Sequence, residues 1–285
     1  MVVLTLTTVH PRPHNAPVKI GFSTGPWDSD HIRDPRWRKI IEKIDTAGPA
    51  HERLQLARKV LRDGNDVTRS MLFEIFLREQ MDTRWGDDRN PFAPVLGAMR
   101  VQAIHILHGK PGPEGRYHEV AMELLSFAPK PRDIDLLLHH LRGPAVPRSL
   151  RAAALAALPR ITKGLWPAQI DALLTWAEGA VLDPTLDGNE LLNLSVTLAD
   201  SPDPRAADLL ERAILARPTS DAAGWFATAL VRRDRARWRP LGEQIAAAMP
   251  TNTFARSSLR AELETPDETP DHDETRTTTS STDVR

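Results

Sequence analysis

Arginine and tryptophan meet twice in this sequence in groupings that suit a phosphate backbone. Arg36-Trp37-Arg38-Lys39 is one group; Arg232, Arg233, Arg235, Arg237, Trp238 and Arg239 form the other, with Asp234 as the single acid among them. A guanidinium pairs bidentately with phosphate oxygens and stacks on aromatic planes, so both groups carry the chemistry of nucleic-acid contact. The same residues have a plainer reading. On a helix Trp37 shares a face with Ile40, Ile41 and Ile44, which makes it a core or capping residue flanked by solvated charges. Trp85, Asp87, Asp88 and Arg89 lie between the groups, in the polar loop 83–90, and set an aromatic plane beside two carboxylates.

Histidine and glutamate form a second constellation. His51-Glu52 and His118-Glu119 stand near the starts of two helical patterns, 67 residues apart. Imidazole with carboxylate is a nitrogen and oxygen donor set suited to iron. His139-His140, with Asp133 or Asp135, offers further donors, but neighbours on a helix point about 100° apart and do not converge easily. These histidines are therefore read as solvated, with no metal and no cofactor expected. Ser23 in Gly21-Phe22-Ser23-Thr24-Gly25 lacks the preceding strand and following helix that a nucleophile elbow requires, and is read as a turn. Gly109 to Gly115 is interrupted by proline and lacks the Lys-Ser/Thr pair of a phosphate loop.

The chain has 285 residues, 41% of them hydrophobic and 26% charged, and no cysteine. That composition provides a large core, and the missing thiols exclude disulfides, thiolate nucleophiles, zinc–thiolate sites and iron–sulfur clusters. No apolar run reaches the roughly 18 to 20 residues of a membrane span, and the start lacks the basic residues of a secretory signal, so a cytoplasmic address and no membrane partner are expected. The net charge of −1 is unevenly spread: residues 261–285 carry −6 and leave +5 on the rest. With almost no apolar side chain after Leu263, residues 264–285 are expected to be a disordered acidic tail, either a solubilising end or an arm that competes for a basic face.

Helical periodicity fills the interval between. Asp34-Pro35 reads as a cap followed by proline at the first helical position. Pro49 opens a second helix that Gly64 closes, Asp66 caps a third, and a fourth runs from about Pro94 to His108, before 117–127. Further helices are expected near 132–141, 148–158, 168–178, 188–199, 204–216, 219–232, 236–248 and 252–263. Pro159 and Pro240 are counted among the interruptions, because proline lacks an N–H and clashes with the preceding turn. Trp166, Trp176 and Trp225 fall on apolar faces and are expected in the core. Residues 1–33 are expected to form an irregular arm, with Trp27 plugging the first apolar face.

About a dozen short amphipathic helices between tight turns suggest an α-solenoid. Asp135-Leu136-Leu137-Leu138 with Leu141, the Gly143-Pro144 turn and Arg151 to Leu158 resemble the two helices of a HEAT repeat. Weaker echoes lie at Arg100 to Leu107, Leu191 to Leu198 and Ala222 to Leu230. The resemblance implies an all-α HEAT-like solenoid over 34–263, with a concave face that holds another macromolecule; a non-repetitive helical bundle is the structural alternative. The expected function is a non-catalytic scaffold for a protein partner. The alternative is a nucleic-acid-binding protein: Trp85, Asp87, Asp88 and Arg89 supply residue types similar to those of a HEAT-like DNA glycosylase family, although its motifs are not matched in order. His118-Glu119-Val120-Ala121 likewise resembles the motif of HEAT-repeat di-iron hydroxylases, which use four such pairs where this chain offers two.

Overall fold

A computed structural model describes residues 32–46, 48–82, 90–109, 116–143, 146–218 and 220–265. Those residues are all-α, with thirteen α-helices, short 3-10 turns and no strand among them. The chain divides into two compact units, Met1–Ile161 and Thr162–Arg285.

The first unit holds α1 (Pro35–Asp45), α2 (Ala50–Asp63), α3 (Asp66–Asp82), α4 (Leu96–His108), α5 (Arg116–Phe127), α6 (Ile134–Arg142) and α7 (Arg148–Ile161). Asp34 caps α1 as its spacing predicts, its carboxylate accepting from the Arg36 N–H at 2.8 Å. Gly64 ends α2 because nothing larger fits: a Cβ there would lie 2.5 Å from the Val60 carbonyl oxygen and 2.5 Å from Thr68 Oγ1. The third helix is capped one residue earlier than expected. Asn65 Oδ1, not Asp66, accepts the Thr68 N–H at 3.0 Å. α3 packs against α1, α2, α4 and α5, and α5 packs in turn on α4 and α7. The residues at the centre of this packing are buried, with Phe73, Phe76, Met99, Met122, Leu124 and Leu125 among the largest side chains. Phe76 and Phe127 meet edge to face, 5.5 Å between centroids.

Two buried arginines brace this unit. Arg53 donates from Nε to the Ile44 carbonyl at 2.7 Å, pairs with Glu79 and lies over the Phe92 ring at 5.0 Å, so it ties α2 to the ends of α1 and α3. Arg100 of α4 pairs with Asp133, both side chains less than 5% exposed. Asp133 also accepts from the Lys130 N–H at 2.8 Å, which fixes the turn that launches α6.

The second unit holds α8 (Pro167–Ala180), α9 (Gly188–Asp200), α10 (Arg205–Ala216), α11 (Asp221–Arg233), α12 (Arg235–Ala248) and α13 (Phe254–Glu264). Asp187 and Glu190 form a reciprocal capping box at the start of α9, with bonds of 2.9 and 2.8 Å. One residue, Asp234, separates α11 from α12; its carboxylate caps α12 by accepting from the Arg237 N–H. α11 is the hub and packs on α9, α10, α12 and α13. All of its residues from Ala222 to Val231 except Trp225 are buried, and small side chains dominate. Close approach demands them: a Cβ on Gly224 would lie 2.7 Å from Met249 Cε and 3.0 Å from Ala255 Cβ.

Helix direction alternates in this unit. Arg233, ending α11, reaches the carbonyls that end α9, and Arg232 pairs with Glu262 near the end of α13, so the odd helices share a direction. Arg217, following α10, reaches the carbonyls following α8, so these two share a direction; Arg233 also reaches the Asp203 carbonyl just before α10 begins, so α10 runs opposite to α11. α9, α11 and α13 begin at Gly188, Asp221 and Phe254, a regular interval of 33 residues.

Two prolines expected as interruptions ride inside helices, Pro159 in α7 and Pro240 in α12. Each forfeits one backbone hydrogen bond, but the flanking Leu158 and Ile161, and Trp238 and Ile245, are buried and hold the helix through the proline.

Candidate functional site

The basic and aromatic residues are placed in two separate settings. Arg36 is exposed at the start of α1; Trp37 is half-buried, and Arg38 donates to the Ile32 carbonyl at 3.1 Å. Trp85, Asp87, Asp88 and Arg89 lie outside the described residues.

The arginines of 232–239 all lie around one end of the second unit, and the protein itself supplies acceptors for most of them. Arg232 pairs with Glu262 at 2.6 Å and Arg235 with the same carboxylate at 3.5 Å, while Arg235 also donates to the Thr265 carbonyl. Arg233 donates to the carbonyls of Leu198 at 2.9 Å, Ala199 at 3.2 Å and Asp203 at 3.0 Å, and to that of Ser201. Burial lowers the pKa of its guanidinium, against the opposing pull of Asp203. Arg239 pairs with Glu243 at 3.0 Å. Arg237 is exposed and stacks on the buried Trp238, 4.6 Å from the ring centroid. Arg205 joins the same end through Asp203 and Asp171, each at 2.9 Å, and its hydrogen bonds hold the Asp203 carboxyl below the usual range.

The opposite end of that unit has another character. Leu182 follows α8, Leu215 lies in the last turn of α10, Trp225 lies in the second turn of α11 and Phe254 begins α13. Leu215 is 71% exposed and Phe254 74% exposed, and the Phe254 ring sits 5.4 Å from that of half-buried Trp225. Leu182 is exposed as well. Trp225 is therefore not a core residue, and Trp176 is only half-buried. Trp166 departs furthest from expectation. It stands at the N-cap of α8, before the helical face it was expected to join, and is 73% exposed.

The histidines separate into two classes. His51 and Glu52 are exposed and 4.0 Å apart. His118, expected in solvent, is instead buried, as is His140, because the helix faces that carry them turn inward. These two rings, with His108 and His139, line a cleft of about 380 Å³ in the first unit, whose apolar walls include Leu107, Val146, Pro147 and Leu150. His118 Nε2 lies 3.2 Å from the Gly109 carbonyl oxygen, which only accepts, so Nε2 carries the proton and Nδ1 is a buried lone pair with no partner. A hydrogen bond to the Leu107 backbone engages the His140 ring, and its Nε2 is buried without a partner. His139 packs against it edge to face at 5.3 Å. Burial, followed by the neighbouring His139, lowers the His140 pKa, with smaller contributions from His118 and His108.

On another face of α5, Glu123 is drawn among carboxylates. Burial raises its pKa to about 7, Glu119 and Glu74 push the same way, and Arg116 opposes them. Among the described residues no three His, Cys, Asp or Glu side chains are grouped to hold a metal ion. No described helix is long and apolar enough to cross a membrane.

Sequence reasoning missed the four-histidine cleft because its members come from three helices and only His139-His140 are adjacent in the chain. The available signal was His118 on the same helical face as Met122 and Leu125, which are buried with it. No protein-family model, curated protein or solved structure matches this chain.

Proposed function

We propose that this chain is a HEAT-like helical scaffold that binds another protein through the apolar end of its second unit. The observation that carries the reading is the exposure of Phe254 and Leu215, at 74% and 71%, on the same end of one helical array. Single exposed apolar residues are ordinary on a protein surface; the contact of Trp225 with Phe254, at the helix ends that also carry exposed Leu182 and Leu215, supports a contact surface. An aromatic pair such as Trp225 and Phe254 presents large apolar area with little side-chain entropy to lose, which is how binding hot spots are built. The partner that fits is an apolar segment, such as one face of an amphipathic helix. Regular spacing of parallel helices supports a solenoid, since each hairpin then buries its face against its neighbours.

The arginine end is assigned to structure first, because Arg232, Arg233, Arg235 and Arg239 all have acceptors within the protein. Nucleic-acid binding is accordingly the second reading, with the stacked Arg237 and Trp238 as its strongest feature.

Site-specific photo-crosslinking tests the first reading. A photoreactive phenylalanine at position 254 or 215 is expected to capture one protein in cells, while the same probe at exposed Val101 is not. The double variant Leu215→Ser/Phe254→Ser should keep its unfolding midpoint and lose that partner in a direct binding assay with the purified protein. Equal capture at 101, or full affinity in the double variant, would overturn the reading.

A further inference from the structure

The cleft in the first unit has a composition that selects its ligand. Among the described residues its polar side chains are all imidazoles: His108 from the end of α4, His118 from the first turn of α5, and His139 and His140 from α6. Among the described residues no carboxylate, lysine or arginine lines it, and Leu107, Val146, Pro147 and Leu150 provide apolar wall. At about 380 Å³ it lies within the range of small-molecule sites. Two of the four rings present buried nitrogen lone pairs without partners, a costly arrangement that a hydrogen-bonding ligand or a proton would relieve.

We infer that this cleft binds a small organic acid, a single carboxylate on an aromatic or branched apolar body. The apolar body is held by Leu107, Leu150, Val146 and Pro147. The carboxylate is met by the imidazoles, of which His108 and His139 are exposed at the cleft and free to turn an N–H toward it. A doubly charged phosphate would call for guanidinium or ammonium groups, and the described lining has neither.

Binding and protonation reinforce each other here. The titratable groups acting on His140 are His139 on its own helix, His118 from α5 and His108 from α4, all of the same potential charge; the hydrogen bond to the Leu107 backbone opposes them, and α7 contributes apolar Leu150. With burial and these neighbours against it, and no carboxylate among the described lining to oppose them, His140 resists taking a proton when the cleft is empty. An anion in the cleft supplies the missing counter-charge, so its uptake carries a proton in with it. Affinity should therefore rise as pH falls toward the range in which histidine titrates.

The test uses the full chain with 2-naphthoate as the probe and 2-naphthalenemethanol as its uncharged counterpart. Calorimetric titrations at pH 7.5, 6.5 and 5.5 are expected to show naphthoate binding that tightens several-fold per unit, up to the roughly tenfold limit for one linked proton. The alcohol should bind more weakly and without pH dependence. Leu150→Trp, which fills the cleft, should abolish naphthoate binding, and His140→Gln should flatten its pH dependence. Should His140→Gln not fold, exposed His139→Gln is expected to weaken binding at pH 5.5 at least threefold, with exposed His51→Gln as an unchanged control. Absence of naphthoate binding at pH 5.5, equal affinity for acid and alcohol, a flat pH profile in the parent chain, or survival of binding in Leu150→Trp would each overturn the inference.

Discussion

Arg160 Nη1 donates to the Ser126 carbonyl oxygen at 2.6 Å, joining the last turn of α7 to the last turn of α5 across 34 positions. The interval recurs. Arg217 donates to the Asp183 carbonyl and Arg233 to the Ala199 carbonyl, each 34 positions earlier, and Arg205 pairs with Asp171 at the same separation. The last carbonyls of a helix have no partner within it, and a cation favours that end of the helix dipole. Arginine from the next helix of the same direction supplies both needs. It also holds the two helices in longitudinal register, which apolar packing alone does weakly.

Replacing Arg233 by alanine should therefore cost about 2 to 4 kcal/mol, because hydrogen bonds from a charged donor are lost and part-buried carbonyls are left without one. Lysine should restore little of this. Arg233 uses Nη1 on Leu198, Ala199 and Ser201 and Nη2 on Asp203, and a single ammonium cannot span that fork. Urea unfolding of Arg233→Ala and Arg233→Lys checks the claim; a midpoint unchanged in alanine would show that water replaces the guanidinium without loss.

Glu123 sets a pH dependence of known sign. Its pKa rises from an ordinary 4.5 to about 7 in the folded protein, chiefly through burial. Below pH 4.5 both states hold the proton, so the group contributes nothing there. Between 4.5 and 7 the folded state keeps a proton that the unfolded chain has released, and stability falls as pH rises, levelling off above 7. The full loss is on the order of 3 kcal/mol. Glu123→Gln is expected to stabilise the protein at pH 7.5 by up to that amount and to have little effect at pH 4.5. Thermal unfolding at the two pH values decides it, and equal shifts at both would remove Glu123 as the cause.

The helices were legible because their punctuation is local: Asp34-Pro35, Pro49 and Gly64 act within a few residues of where they stand. What lay beyond the sequence depended on partners far away in the chain. Nothing near Arg100 announces Asp133, 33 positions on, and a lone arginine in an amphipathic pattern reads as solvated until its acceptor is known. Arg233 shows a related limit: a dense run of arginine looks like a ligand surface, and the carbonyls that this member bonds lie about thirty or more positions away. The prolines at 159 and 240 show the converse, where a strong local signal yields to burial of the residues around it. Trp166 was assigned by hydrophobicity and helical spacing, but it precedes the first helical residue, and spacing has no force there.

Arg100 and Asp133 are almost wholly buried, so their charges depend on each other. Arg100→Met is expected to cost about 3 to 5 kcal/mol by leaving the carboxylate without its counter-ion. Arg100→Met/Asp133→Asn should recover much of this, since asparagine removes the buried charge and can still accept the Lys130 N–H bond. Denaturant unfolding of the single and double variants supplies the comparison; a double variant no more stable than Arg100→Met would mean that the charge itself was not the source of the loss.

Arg235 separates the two readings of the arginine end. A phosphate-binding arginine, changed to alanine, weakens nucleic-acid binding and lowers its salt dependence while leaving stability nearly intact. A structural one does the reverse. Arg235 donates to the Thr265 carbonyl and pairs with Glu262, so Arg235→Ala should destabilise the protein by about 1 to 2 kcal/mol. Arg237→Ala, by contrast, removes only an exposed guanidinium stacked on Trp238 and should leave stability within about 0.5 kcal/mol. Titration of labelled duplex and single-stranded DNA and RNA against both variants at two salt concentrations, beside urea unfolding, completes the comparison. Stability loss in Arg235→Ala without a change in salt slope assigns this end to architecture; a salt-sensitive affinity that drops in Arg237→Ala would move nucleic-acid binding ahead of the protein-binding reading.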